Sequence, residues 1–263
     1  MSEIVLATLN AKYIHASFGL RYLMANMGEL KSRATLLEFD INQRPLDIAE
    51  VLLAQNPRIL GLGIYIWNVT ETTEVVAAIK RIRPEVIVIL GGPEVSFETD
   101  KQEIIRLADH VITGEADLKF AEVCVQLLAG QTPPKIIPAE LPEFSRLALP
   151  YEFYDAKDIA HRVIYVEASR GCPFKCEFCL SALDKTAWPF DADTVLNELD
   201  TLYRRGARHF RFVDRTFNLK IATSIKILEF FLARLDDKLF VHFEVIPDHL
   251  PDALKAVDRK SVV

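Results

Sequence analysis

Residues 59–92 read ILGLGIYIWNVTETTEVVAAIKRIRPEVIVILGG, and the fold of the first half of the chain follows from them. Apolar residues and glycines run almost unbroken from 59 to 66. A helical pattern follows over 71–82, then a second apolar run over 86–90 that ends on Gly91-Gly92. Continuous hydrophobic strands alternating with amphipathic helices belong to a parallel sheet covered on both faces. Working outward, further strands are expected at 4–8, 35–39 and 110–113, with helices at 19–27, 46–54, 101–107 and 118–128. The expectation is an α/β fold: a doubly wound, flavodoxin- or Rossmann-like domain over 1–130 with a parallel five-stranded sheet.

Ligands of such sheets bind beyond the carboxyl ends of the strands. The unusual residues lie there: Asn10 and His15 after the first strand, Trp67 and Asn68 after the third, Gly91 and Gly92 after the fourth, Gly114 and Glu115 after the fifth. Glycine lets a backbone turn sharply or approach a ligand. Four such loops on one edge make that edge the candidate binding site of the domain.

From Gly130 the composition changes. Pro133, Pro134, Pro138, Pro142 and Pro150 fall in a stretch without periodicity, so 131–160 reads as a connector. Alternation resumes over 161–263, with strands at 163–167, 209–213 and 240–245, helices at 193–205 and 221–235, and a last helix from about 251. Half of the 263 residues are hydrophobic and 26% are charged, the composition of a folded globular protein. The net charge of −6 gives no general pull toward nucleic acid or anionic membrane. Arg204, Arg205, Arg208, Arg211 and Arg215 read as the solvated end of a helix and its turn. With no signal-peptide pattern and no bilayer-length apolar run, the expected location is the cytoplasm.

Four cysteines are present, three of them within eight positions, which argues for a metal site in a reducing compartment rather than a disulfide. They lie in Ser169-Arg170-Gly171-Cys172-Pro173-Phe174-Lys175-Cys176-Glu177-Phe178-Cys179, directly after an expected strand. Thiolates are the usual ligands of iron–sulfur clusters. Three of them bind three irons of a four-iron cube and leave the fourth open to chelate an amino and a carboxylate group. Structural zinc would want a fourth protein ligand. Cys124 sits on an amphipathic helix as a core residue, and His161 and His209 lack ligand spacing.

The spacing Cys172-x3-Cys176-x2-Cys179, with Phe178 before the last cysteine, resembles the radical S-adenosylmethionine superfamily. Preceded by a doubly wound domain, the chain resembles the cobalamin-binding-domain subgroup. That resemblance implies a [4Fe-4S] cluster on the three cysteines, S-adenosylmethionine and cobalamin as cofactors, and a partial TIM barrel whose first part spans 161–263. It places Phe178 near the adenine and Asp214 and Glu244 near the methionine and ribose. It assigns cobalamin to the edge of Asn10, His15, Trp67, Asn68, Gly91, Gly92, Gly114 and Glu115, and no catalytic residue to any position. It further implies an electron donor such as a flavodoxin or ferredoxin, and a substrate modified at an unactivated carbon by methyl transfer, ring closure or rearrangement.

The chain departs from the subgroup at three points. The Asp-x-His-x-x-Gly pattern that ligates cobalt is absent, since Tyr13 precedes His15 by two positions and Phe18 follows it by three. Val213-Asp214-Arg215 stands where the superfamily carries Gly-Gly-Glu. About three barrel units are present where six are usual, so a truncated barrel is expected. The rival reading is a non-catalytic module that binds cobalamin or a nucleotide and uses an iron–sulfur or zinc site for structure.

Overall fold

The computed structural model describes residues 2–184 and 186–258, and the chain divides into two compact units between Tyr154 and Asp155. In the first, β1 (Ile4–Asn10), β2 (Ala34–Asp40), β3 (Ile59–Gly63), β4 (Ile87–Gly91), β5 (His110–Gly114) and β6 (Ile136–Ala139) form one sheet. Its order is β2-β1-β3-β4-β5-β6, and every pairing is parallel. The expected alternation is present, with α1 (Phe18–Ala25), α2 (Pro45–Ala54), α3 (Val69–Ile82), α4 (Glu103–Leu107) and α5 (Lys119–Leu128) between the strands.

Period-two alternation splits the strand side chains between two cores. Val5, Leu60, Leu62, Val88 and Leu90 pack in one cluster with Ile48 and Leu52 of α2, Val75 and Ile79 of α3 and Ile104 of α4. Ile4, Leu6, Ile59, Ile89 and Ile112 share the other with Leu20 and Met24 of α1 and with Phe120, Val123 and Cys124 of α5. Cys124 is a core residue, and burial pushes its thiol up to about 12. Gly61 is required by this packing, because a Cβ there would lie 2.7 Å from the Phe120 ring.

One expectation is corrected here: the sheet has six strands, not five, and the sixth, β6, falls within the proline-rich stretch 131–160 that reads as a connector. Pro138 lies within β6, where proline would end a central strand. The Val111 N–H donates to the Lys135 carbonyl, so the even-numbered backbone nitrogens of β6 face the outer edge of the sheet. There a missing donor costs nothing. Farther on, Tyr151 and Tyr154 are buried, the first 6.1 Å from the Phe18 ring and the second under the Arg21 guanidinium.

The second unit opens with α6 (Ala156–His161), whose start is fixed by a capping box between Asp155 and Asp158. A three-stranded parallel sheet follows in the order β11-β10-β7, from β7 (Ile164–Val166), β10 (His209–Phe212) and β11 (Phe240–His242). An antiparallel hairpin, β8 (Ser169–Gly171) with β9 (Ala187–Pro189), carries the cysteine loop; three-residue strands leave too little periodicity to read. Helices α7 (Ala192–Arg204), α8 (Ile221–Leu232) and α9 (Asp252–Asp258) complete the unit. Phe231 of α8 packs on Phe210 and Phe212, and Phe243 stacks on Phe212 and Phe217, so one face of the sheet is an aromatic core. No helix among the described residues is long and apolar enough to cross a membrane.

Candidate functional site

In the first unit the chain leaves β1 for β2 on one side and returns to β3 on the other, so the loops after β1 and β3 diverge from a topological switch point. Tyr13, Ile14, Ile66 and Trp67 on these two loops are exposed, and Trp67 stacks on Tyr65 at 4.5 Å. Large apolar side chains held at a switch point suit a broad, flat ligand better than a phosphate.

The residues beneath this surface hold it in place. Asn68 is wholly buried; its amide donates to the Leu9 and Gly63 carbonyls and to the Thr8 hydroxyl, while its Oδ1 accepts from the Tyr65 N–H. It ties the two loops together, and its side chain does not reach solvent. Asn10 similarly donates to the His15 carbonyl and to Glu38. Glu38 and Arg21 form an ion pair at 2.8 Å, with 6% and 2% of their side chains exposed. Burial works to raise the Glu38 pKa, but Arg21, Asn10 and the Ser17 N–H outweigh it and hold the carboxyl below its usual range. Burial raises the Tyr65 phenol, partly offset by its hydrogen bond with Ser17.

The glycines serve the fold first. Gly92 has φ +111°, and a Cβ there would fall 2.4 Å from the Ile64 carbonyl; Gly114 has φ +81° and the same conflict with Ala139. Gly91 is not so confined. Ser96 joins the last two loops, donating to the Gly92 carbonyl and accepting from the Gly114 N–H. Glu115 is exposed, and His15 is half-buried.

In the second unit, Cys172 is buried, Cys179 half-buried and Cys176 exposed; all are free thiols. The loop folds on itself, with Cys179 N–H donating to the Cys176 carbonyl at 3.1 Å and Lys175 donating to the carbonyls of Ala182 and Asp184. Among the described residues, no three Cys, His, Asp or Glu side chains are gathered closely enough to hold a metal. The donor set nonetheless fits a three-thiolate cluster, because none of the three sulfurs is spent on a disulfide. Phe178 projects with 95% of its surface exposed.

Asp214 lies at the carboxyl end of β10 but turns inward. Both its oxygens accept the Ala168 N–H, and Oδ1 accepts the Ser169 hydroxyl at 2.6 Å. Burial raises its pKa from 3.8 to about 6 despite these donors. It therefore fixes the strand end that leads into the cysteine loop. Glu244 lies near two guanidiniums, Arg215 at 3.5 Å and Arg211 at 3.9 Å.

The sequence reading missed the Glu38–Arg21 pair, Ser96, and the buried Glu167, which pairs with Arg170 at 3.0 Å. A lone acid inside the apolar run of β2 was the one available signal for Glu38. Asn218, whose amide clamps both backbone groups of Ile246, carries no such mark.

Residues 4–124 match the family model of the B12 binding domain. The chain is 29% identical over 206 residues to an uncharacterized methyltransferase of Pyrococcus horikoshii, PH0819, covering 69% of this chain and 44% of that protein. It is 23% identical over 193 residues to the cobalamin-dependent radical SAM methyltransferase TokK of Streptomyces tokunonensis, covering 62% of this chain and 28% of TokK. The chain spans less than half the length of these curated relatives. The radical S-adenosylmethionine methyltransferase TsrM of Kitasatospora setae, solved with cobalamin and a [4Fe-4S] cluster bound, shares the fold at a TM-score of 0.71. That likeness covers 99% of this chain and 57% of TsrM at 16% identity.

Proposed function

We propose that this chain carries the cofactor-binding part of a cobalamin-dependent radical S-adenosylmethionine methyltransferase. The observation that carries the reading is the conjunction, in one chain, of a B12-type unit with a three-thiol loop beside the ends of parallel strands. Methyltransferase relatives favour methyl transfer over ring closure or rearrangement. The parallel sheet of the second unit is then the opening segment of a βα barrel, whose active sites form at the carboxyl ends of the strands.

Cys172, Cys176 and Cys179 would hold the cluster, and the loops after β1 and β3 the cobalamin. When bound, these groups supply an electron for cleaving S-adenosylmethionine and a carrier for its methyl group. The chain's own residues do the positioning. Trp67, Ile66, Tyr13 and Ile14 present an apolar surface and exclude water from it. The Glu38–Arg21 pair and Asn68 hold that surface from beneath. Asp214 anchors Ala168 and Ser169, which set where the cysteine loop begins. Phe178 offers its ring to an adenine and Glu244 its carboxylate to an amino or hydroxyl group. The Asp-x-His-x-x-Gly pattern is absent from the loop after β1, and the cobalamin would be held there by these apolar side chains. An electron-donor protein and a small-molecule substrate complete the reading.

The test is a pair of anaerobic titrations on iron-reconstituted protein, one with hydroxocobalamin and one with S-adenosylmethionine. Saturable binding of both is expected, and Cys176→Ala should abolish the second and spare the first. Failure of hydroxocobalamin to bind overturns the proposal, as does S-adenosylmethionine binding that survives without iron.

A further inference from the structure

The aromatic core covers only one face of the β11-β10-β7 sheet. On the other, the register sets Tyr165 of β7 and His242 of β11 on either side of Arg211 in β10. Arginine at the centre of the middle strand is costly unless its charge is used, since sheets favour apolar and β-branched residues there. Its use is not internal. The Arg211 side chain makes no hydrogen bond among the described residues, and its ion contact is Glu244 at 3.9 Å, shared with Arg215 at 3.5 Å. Glu244 lies nearer Arg215 than Arg211, so among the described residues the Arg211 guanidinium has no carboxylate closer than 3.9 Å. His209, in the row before, adds to the crowding: burial and then the nearby Arg211 and His242 hold its imidazole below the usual range.

We propose that this face binds an oxyanion of the substrate, a carboxylate or phosphate, through the Arg211 guanidinium with Tyr165 and His242 flanking it. The inference rests on the methyltransferase reading and adds the chemical class of substrate. The guanidinium fork matches a carboxylate or phosphate in two parallel hydrogen bonds, and Arg211 is 41% exposed, so a ligand can reach it. The Arg211 backbone lies three residues before Asp214, about 10 Å of strand below the end where Phe178 is proposed to meet S-adenosylmethionine, and its guanidinium reaches up to within 3.9 Å of Glu244, so the bound anion would sit beside the cofactor. A substrate anchored there by its anionic group would direct its far end toward the cysteine loop.

The test is calorimetric titration with inorganic phosphate at fixed ionic strength. Saturable binding in the millimolar range is expected for the unaltered protein. Arg211→Gln should weaken it about tenfold or more, Arg211→Lys less, and Lys226→Gln on α8 not at all. Thermal melts of each variant separate lost binding from lost folding, and Arg211→Lys keeps the charge should the glutamine variant fail to fold. Absence of saturable binding overturns the proposal, as does a folded Arg211→Gln protein that binds as tightly as the unaltered one. Saturating S-adenosylmethionine should leave phosphate bound; displacement would give Arg211 to the carboxylate of S-adenosylmethionine and defeat the proposal. Phosphate titration needs neither cluster nor cobalamin. A chain that takes up no iron on reconstitution yet binds phosphate on Arg211 keeps the anion site and loses the radical reading, whereas a chain that takes up iron and does not bind phosphate does the reverse.

Discussion

Replacing Asp214 by asparagine isolates the electrostatic cost of fixing the start of the cysteine loop. The folded carboxyl has a pKa of about 6 against 3.8 in the open chain, so the folded state binds the extra proton between those values. Stability contributed by this group is therefore full below pH 3.8 and falls as pH rises through 6. Two pKa units correspond to about 3 kcal/mol in all, of which about 2 kcal/mol is lost between about pH 4.5 and 7.5. The substituted amide cannot ionise and lacks this slope, while its carbonyl can still accept from Ala168 and Ser169. Denaturant unfolding of iron-free protein at several pH values gives the comparison. The unaltered protein should lose about 2 kcal/mol relative to Asp214→Asn across that range. A flat difference would refute the reasoning. A difference that grows in favour of the unaltered protein would show that the three hydrogen bonds outweigh burial and hold the ionised form.

Other expectations follow from the first unit. Glu38→Gln leaves the Arg21 charge buried without its partner and should cost about 3–5 kcal/mol, read as a fall in unfolding midpoint together with weaker hydroxocobalamin binding. Because Glu38 titrates below the usual range, its stabilisation should be present at neutral pH and lost on acidification, opposite in sign to Asp214. Gly92→Ala should destabilise by about 1–3 kcal/mol with or without cobalamin, because its Cβ meets the Ile64 backbone, and an unchanged melting temperature would contradict this. Trp67→Ala removes an exposed ring; it should cost at most about 1.5 kcal/mol of stability yet weaken hydroxocobalamin binding about tenfold, as followed by absorption.

The alternating pattern of the first unit was legible because the central strands β1, β3 and β4 are buried on both faces and the helices that cover them on one. Burial of that kind leaves a continuous run in β1, β3 and β4 and a period near 3.6 in α3 and α5. What escaped was the material whose structure depends on partners rather than on its own pattern. Strand β6 carries a proline and exists because β5 offers it an edge. Strands β8 and β9 are three residues each. The candidate site divides in the same way. Position along the chain placed Asn10, Asn68, Gly92 and Gly114 at the strand ends, yet their neighbours decide what they do there. Asn68 and Gly92 support the loops from inside, while the exposed Tyr13, Ile14 and Ile66 form the surface itself. Arg211 was read as part of a solvated helix end, and the register of β10 instead sets it on an open sheet face between Tyr165 and His242.

The central claim is the cluster on the three-cysteine loop, and iron content measures it most directly. After anaerobic reconstitution with iron and sulfide, the protein should hold about four irons, with the absorption and electron paramagnetic resonance spectra of a [4Fe-4S] cluster. Cys172→Ala, Cys176→Ala and Cys179→Ala should each lose it, and Cys124→Ala, altered in the core of the first unit, should keep it. Stoichiometric zinc in place of iron, or a full complement of iron in any of the first three variants, would contradict the account.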